Sequence, residues 1–397
     1  IFTPAVATAD PVATVPSAAA GSVAVPAPAP SPTDSGNSPM APDPHPPVGG
    51  IAPNGTHVGG PNLRSRGLIV PHPAPPLPES LTAQAWVLVD LDSGNVLAAR
   101  DPHGRYQPAS ILKWLTSVTL IPLLPGTRPV TASEAAAQTE PTRAGLVAGG
   151  HYTVDELFRG LLLHSGNDCA TALAEAAGGY QHTVALMNAM ARQLGAYDTF
   201  VQTPSGLDGW QQLTSAYDMA LVMRAALGLP RLVNYARTLT STLPWQAING
   251  YGPVTLQNQN TTFLTSVPGA IAAKTGFTDA AQQTFVGAIE RHGRRLGVAF
   301  LRGQRWPVEE WQQATDLMNW GFGLPATTPP VGHLDGPIGP APASAAHSRA
   351  AARAGRIARA SGPHGQWVYP VGGAAVLVAA TPLAWGWRRR HRRPRAR

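Results

Sequence analysis

Lysine is nearly missing from this 397-residue chain: of 29 basic residues, only Lys113 and Lys274 are not arginine. Arginine keeps its proton inside a protein, whereas a desolvated lysine can lose it. A chain that uses arginine wherever positive charge suffices keeps lysine where a titratable amine is needed, so these two residues mark where to look for chemistry. Cysteine is reduced to Cys169, which excludes an internal disulfide. Acidic residues stop at Asp335, while eleven arginines fall at or after Arg349. The net charge of +7 therefore belongs to the tail, since residues 1–348 carry 18 basic against 22 acidic groups. A mildly acidic folded part argues against nucleic acid as a partner. His103 and His164 lack the companion ligands of a zinc spacing, so no metal and no cofactor are expected.

The 41 prolines and 41 glycines are unevenly spread. Residues 1–79 and 325–366 are dominated by Pro, Ala, Val, Ser and Gly without periodicity, and read as extended linkers. The first of these opens with Ala7-Thr8-Ala9, which is similar to the end of a signal peptide. Between the linkers, residues 80–324 are patterned and long enough for one sizeable domain. Residues 367–387 carry no charge, hold Trp367, Tyr369, Trp385 and Trp387 near their ends, and are followed by seven arginines in residues 388–397. That is the pattern of a single transmembrane helix with a cytoplasmic tail, placing everything before it outside the cell membrane.

Within 80–324, residues 85–90 and 96–99 flank Asp92-Ser93-Gly94-Asn95 and read as a hairpin. A helix should start at Ser110, where Ile111, Leu112, Trp114, Leu115 and Val118 are too densely apolar for a surface position. Thr153-Val-Asp-Glu156 is a capping box for a helix ending near His164, and further helices are expected after Asn167, over 182–194 and over 215–227. Strands follow at 270–274, 284–290 and 296–301, then a last helix over 308–320. Strands at both ends with helices between give an α+β domain whose terminal segments share one sheet.

Each lysine sits in a suggestive context. Lys113 follows Ser110 by three residues at a helix start, so its amine shares a face with the hydroxyl and can take its proton. Lys274-Thr275-Gly276 closes a strand of small residues, where a ligand can lie against the backbone and the lysine and threonine can bind a carboxylate. Ser165-Gly166-Asn167 joins two helices and can aim a hydroxyl and an amide into one cleft. Cys169, Arg302, Arg305, Asp168 and Asp218 are assigned packing, edge or bracing roles.

In this order the three elements resemble the S-x-x-K, S-x-N and K-T-G signatures of the penicillin-recognising serine enzymes. Tyr106-Gln-Pro-Ala-Ser110, Leu163-His-Ser-Gly-Asn-Asp168, Thr203-Pro-Ser-Gly-Leu207, Lys274-Thr-Gly-Phe-Thr278 and Trp320-Gly-Phe322 are similar to the low-molecular-mass D-alanyl-D-alanine carboxypeptidases of peptidase family S11. The resemblance implies a β-lactamase/transpeptidase-like domain, an antiparallel sheet flanked by helices with a helical subdomain. It implies peptidoglycan stem peptides as substrates and β-lactams as inhibitors. Ser110, Lys113 and Ser165 would be catalytic; Asn167, Lys274, Thr275, Gly276 and Phe277 would bind substrate, with the Ser110 and Phe277 N–H groups as oxyanion hole. A class A β-lactamase would need a deacylating glutamate, and none occurs between Glu175 and Glu290.

Overall fold

The computed structural model describes residues 49–336 except 247, 249 and 251. In chain order its strands are β1 (Leu68–Ile69), β2 (Ala85–Asp90), β3 (Asn95–Arg100), β4 (Pro129–Thr131), β5 (His151–Thr153), β6 (Thr240–Leu243), β7 (Val254–Gln257), β8 (Ala270–Thr278), β9 (Gln282–Arg291), β10 (Arg294–Gly303) and β11 (Gly332–His333). Its α-helices are α1 (Lys113–Leu120), α2 (Glu134–Ala137), α3 (Val154–Leu163), α4 (Asn167–Ala176), α5 (Tyr180–Leu194), α6 (Ala216–Leu227), α7 (Pro230–Arg237), α8 (Thr261–Ser266) and α9 (Glu310–Phe322). The main antiparallel sheet runs β1-β3-β2-β10-β9-β8, with β11 added on β3, so the first and last strands of the domain lie in one sheet as expected.

Both faces of this sheet are covered. In β2, Val87 and Val89 enter the core shared with α1 and α6, while Trp86 and Leu88 enter the core shared with α9. β10 divides the same way, Ala299 and Leu301 against Val298 and Phe300. A strand buried on both sides has no polar face, which explains why residues 85–90 alternate only weakly in sequence. Each fully buried Val, Leu or Phe contributes about 2 kcal/mol of transfer free energy. The hairpin turns follow local chemistry: Asp90 accepts from the Ser93 N–H and hydroxyl before Gly94 at φ 80°, and His292-Gly293, both at positive φ, connect β9 to β10.

Every residue of α1 is buried, as the density of its apolar residues predicts. The helix begins one turn later than expected, however: Ser110 lies in a 3₁₀ turn, Ala109–Leu112, that leads into α1. The capping box of α3 is present, with Thr153 Oγ1 accepting from the Glu156 N–H and Glu156 accepting from the Thr153 N–H. α6 is buried almost throughout and separates the sheet from the helical part of the molecule.

The assignment of residues 1–79 and 325–366 to linkers needs correction where those segments are described. Residues 49–79 pack on the domain: Leu63 is fully buried, β1 pairs with β3, and Pro75 accepts from Trp320 Nε1 at 3.1 Å. The Gly59 N–H donates to Asp335, and the His333 N–H donates back to Gly59. The anchoring residues Val58, Leu63 and Ile69 are too irregularly spaced to register as a periodic pattern. The signal-like residues 7–9, the span 367–387 and the tail 388–397 lie outside the described residues. Among the described residues, no helix is long and apolar enough to cross a membrane.

Candidate active site

Ser110 reaches the cleft because the backbone before it is pinched from two sides. Ala109 adopts φ 49°, a left-handed conformation costing about 1 kcal/mol for a residue with a Cβ. A Cβ on Gly206 would lie 2.0 Å from the Ala109 carbonyl oxygen, and one on Gly276 would lie 2.7 Å from the Ser110 nitrogen. The glycine of Thr203-Pro-Ser-Gly-Leu207 and that of Lys274-Thr-Gly therefore clear space for the turn that carries the hydroxyl. Thr284 Oγ1 secures the same turn by donating to the Pro108 carbonyl at 3.0 Å.

Lys113 is fully buried, with its Nζ 2.8 Å from Ser110 Oγ, 2.8 Å from Asn167 Oδ1 and 2.6 Å from the Ser205 carbonyl oxygen. Asn167 Oδ1 and the Ser205 carbonyl can only accept. A neutral amine gives them its two N–H groups and turns its lone pair to the Ser110 hydroxyl. Burial pushes the Lys113 amine well below its ordinary pKa, and the charge of Lys274 pushes it further the same way. The two acceptors are themselves fixed, Asn167 by donating Nδ2 to the Glu140 carbonyl and the 203–207 loop by Thr116 Oγ1 donating to Pro204.

Ser165 is buried, with φ 64°, and lines the cleft beside Ser110. Its turn is braced by Asp168, whose carboxylate accepts from the Ala144, Gly145 and Leu146 N–H groups at 2.8–3.0 Å. Across the cleft, β8 is the edge strand of the sheet and presents Thr275, Gly276 and Phe277. The Lys274 amine is fully buried, donates to the Thr275 carbonyl at 2.6 Å, and is lowered by burial to about 7. The cleft encloses about 520 Å³ and is closed on its outer side by Arg305, Glu309, Glu310 and Trp311.

This geometry was compared with known proteins. A family model described as D-alanyl-D-alanine carboxypeptidase, peptidase S11, matches residues 71–304. The chain belongs to this carboxypeptidase family. The D-alanyl-D-alanine carboxypeptidase DacB2 of Mycobacterium tuberculosis is 41% identical over 253 residues, 63% of this chain and 85% of that relative. DacD of Salmonella typhimurium is 32% identical, over 62% of this chain and 64% of that protein. A crystal structure of a D-alanyl-D-alanine carboxypeptidase from M. tuberculosis superposes with a TM-score of 0.63 at 39% identity, covering 67% of this chain and 99% of that one. The Streptomyces K15 DD-transpeptidase superposes with a TM-score of 0.58 at 25% identity, over 63% and 99% of the two chains. Family and fold are therefore those the motifs implied, a D-alanyl-D-alanine carboxypeptidase function on a mixed α and β, penicillin-binding scaffold.

In this carboxypeptidase, Ser110, Lys113 and Asn167 form one hydrogen-bonded group, with Ser165 on the cleft wall next to it. Lys274 and Thr275 stand together opposite, but the Thr275 hydroxyl donates to Glu310 Oε1 at 2.7 Å and is not turned to open space. Sequence reasoning missed Glu310, Glu309 and Trp311, which no pattern connects with β8, and it missed the Ser205 carbonyl, a role without a side-chain signature. Arg305 is the solvated residue it was expected to be, its side chain 57% exposed, and it also lines the cleft and pairs with Glu309 at 3.1 Å. Neither Cys169 nor His103 lines the cleft: burial pushes the Cys169 thiol up, and His103 Nδ1 meets Asp198 Oδ2 at 2.8 Å under the N-terminal segment.

Proposed function

We propose that this carboxypeptidase removes the terminal D-alanine from peptidoglycan pentapeptides through an acyl-enzyme on Ser110. The observation that carries this reading is the Lys113 amine, dry and depressed in pKa, held 2.8 Å from the hydroxyl by two groups that cannot compete for its lone pair. Ser110 attacks the carbonyl of the penultimate D-alanine as Lys113 takes the hydroxyl proton. The N–H groups of Ser110 and Phe277 stabilise the oxyanion, which is consistent with how closely Gly276 lets β8 approach the nucleophile. Ser165 and Lys274 relay a proton to the departing amine, Asn167 holds the acyl amide, and Thr275 faces the leaving residue. Water then cleaves the ester and frees the tetrapeptide; a β-lactam stops at the acyl stage and acts as an inhibitor.

We further read residues 367–387 as a single membrane-spanning anchor that holds the catalytic domain on the extracytoplasmic side. Its uncharged length and the arginines that follow support this reading. Release of D-alanine from a muropeptide pentapeptide by the wild-type protein, and not by Ser110→Ala, tests the reaction. Labelled penicillin should form a lasting adduct on the same residue; rapid drug hydrolysis without an adduct would instead make the protein a β-lactamase.

A further inference from the structure

The Thr203-Pro-Ser-Gly-Leu207 loop touches three parts of the site at once. Its Ser205 carbonyl accepts from the Lys113 amine at 2.6 Å, its Gly206 lies against the Ala109 turn, and Asp208, next along the chain, accepts from the Thr278 hydroxyl at the end of β8. The shape of this loop is set from behind by Gln212, which is fully buried and does not line the cleft. Gln212 Oε1 accepts from the Gln202 N–H at 3.0 Å and the Thr203 N–H at 2.7 Å, while Nε2 donates to the Leu207 carbonyl. Thr203 Oγ1, 3.1 Å from Nε2, accepts in turn from the Gly206 N–H at 3.2 Å. One side chain thus accepts at the loop's entrance and donates at its exit, which a primary amide can do and a carboxylate, lacking the donor, cannot. The backbone of Gln212 runs directly into two bridges, Leu213 with Phe200 and Thr214 with Tyr106, the second on the segment that leads to Ser110.

We propose that Gln212 is a positioning residue for the reaction: by clasping the 203–207 loop it fixes the Ser205 carbonyl, and through that carbonyl the direction in which the Lys113 lone pair meets Ser110. The inference rests on the base role proposed for Lys113. A neutral amine has two N–H groups and one lone pair, so fixing an acceptor for each N–H leaves the lone pair a single direction. Asn167 Oδ1 supplies the first acceptor and Ser205 the second. When the loop slackens, the amine turns about its contact with Asn167 and proton transfer loses its line, although every catalytic group is still present. Thr116, on α1, holds the same loop independently by donating Oγ1 to the Pro204 carbonyl at 2.7 Å.

Labelled penicillin followed to completion on the full chain separates position from folding. The final fraction of labelled Ser110 counts intact sites, and the rate constant reports how well each one works. Gln212→Met keeps the volume and removes the bonds; it should label fully but about 30-fold more slowly, and Thr116→Val about 5-fold more slowly. The acid limb of the rate should move to lower pH in both variants, because a carbonyl facing the amine favours its charged form. Lys274, Asp168 and Cys169, which also act on Lys113, are untouched by either substitution. A rate constant and acid limb equal to wild type in Gln212→Met overturn the proposal, as does a loss confined to the labelled fraction. If Gln212→Met does not fold, Thr116→Val decides by the same two readouts, since it slackens the same loop. Wild-type protein that forms no Ser110 adduct removes the catalytic reading and this inference with it, whereas a wild-type adduct with unaltered variants removes only the inference.

Discussion

On the floor of the cleft the groups that hold the nucleophile have fixed partners in a dry setting: Lys113 meets two acceptors and the Ser110 hydroxyl, Asn167 is tied to Glu140, and Asp168 holds three backbone N–H groups. The outer wall also carries polar residues, but it is open to solvent; Phe277 is 54% exposed, and the Arg305–Glu309 pair is a surface ion pair within the loop that leads into α9. On the floor, burial sets protonation state and position, and one altered partner has nowhere to go. On the wall, water and neighbouring charges can substitute for one another. The floor is thus suited to fixing what reaction occurs, and the wall to selecting which molecule undergoes it.

This contrast can be broken by experiment. Lys113→Arg keeps the charge and removes the titratable amine, and should lower Ser110 acylation by about 1,000-fold as followed by labelled penicillin; near-normal rates would take Lys113 out of the base role. Asp168→Ala leaves three loop N–H groups without their acceptor and should cost about 3 kcal/mol in denaturant unfolding, although Asp168 touches neither lysine amine. If it costs as little as a surface change, the floor is not the rigid part of the site.

A third prediction follows from the two buried lysines. Their folded pKa values lie below the unfolded value of 10.5, Lys274 at about 7, so between those limits the unfolded chain binds more protons than the folded one. Stability must then rise with pH, by on the order of 2 kcal/mol from about pH 7 to about pH 9.5. Above pH 10 the gain should fade, because Tyr235 is held protonated up to about 12, and Tyr106 and Tyr217 are raised too. A flat unfolding midpoint across the lower window would mean that the amines are not dry. The smallest effect belongs to the wall: Arg305→Ala removes an exposed pair worth less than about 1 kcal/mol and should change KM by no more than about 5-fold, with kcat unaltered.

The floor was far more legible in the sequence than the wall. Ser110 and Lys113 are three residues apart, and Ser165 and Asn167 two apart, so local geometry alone puts each pair on one side of its turn. The capping box of α3 and the turn between β9 and β10 are likewise written in adjacent residues. Thr275 and Glu310 lie 35 residues apart on different elements, and their meeting depends on how α9 packs beside β8, which no periodicity reports. β8 was read as ending at Lys274, yet it continues to Thr278, because pairing with β9 and not side-chain alternation extends it. The packed segment 49–79 was missed for a related reason: it is built of short turns, one 3₁₀ turn and a two-residue strand, and its few buried side chains are scattered among prolines.

The seam between residues 59 and 333–335 has a mechanical consequence. Chain arriving at the domain and chain leaving it are hydrogen-bonded to each other, and Tyr217 clasps the same place, accepting from the Asp335 N–H and donating to His333. A pull along the polypeptide therefore meets the Gly50–Asp198 bond and this short stitch, neither of which includes the Ser110 turn or β8. The domain can be tugged by whatever its ends are fastened to while the reacting groups stay unloaded.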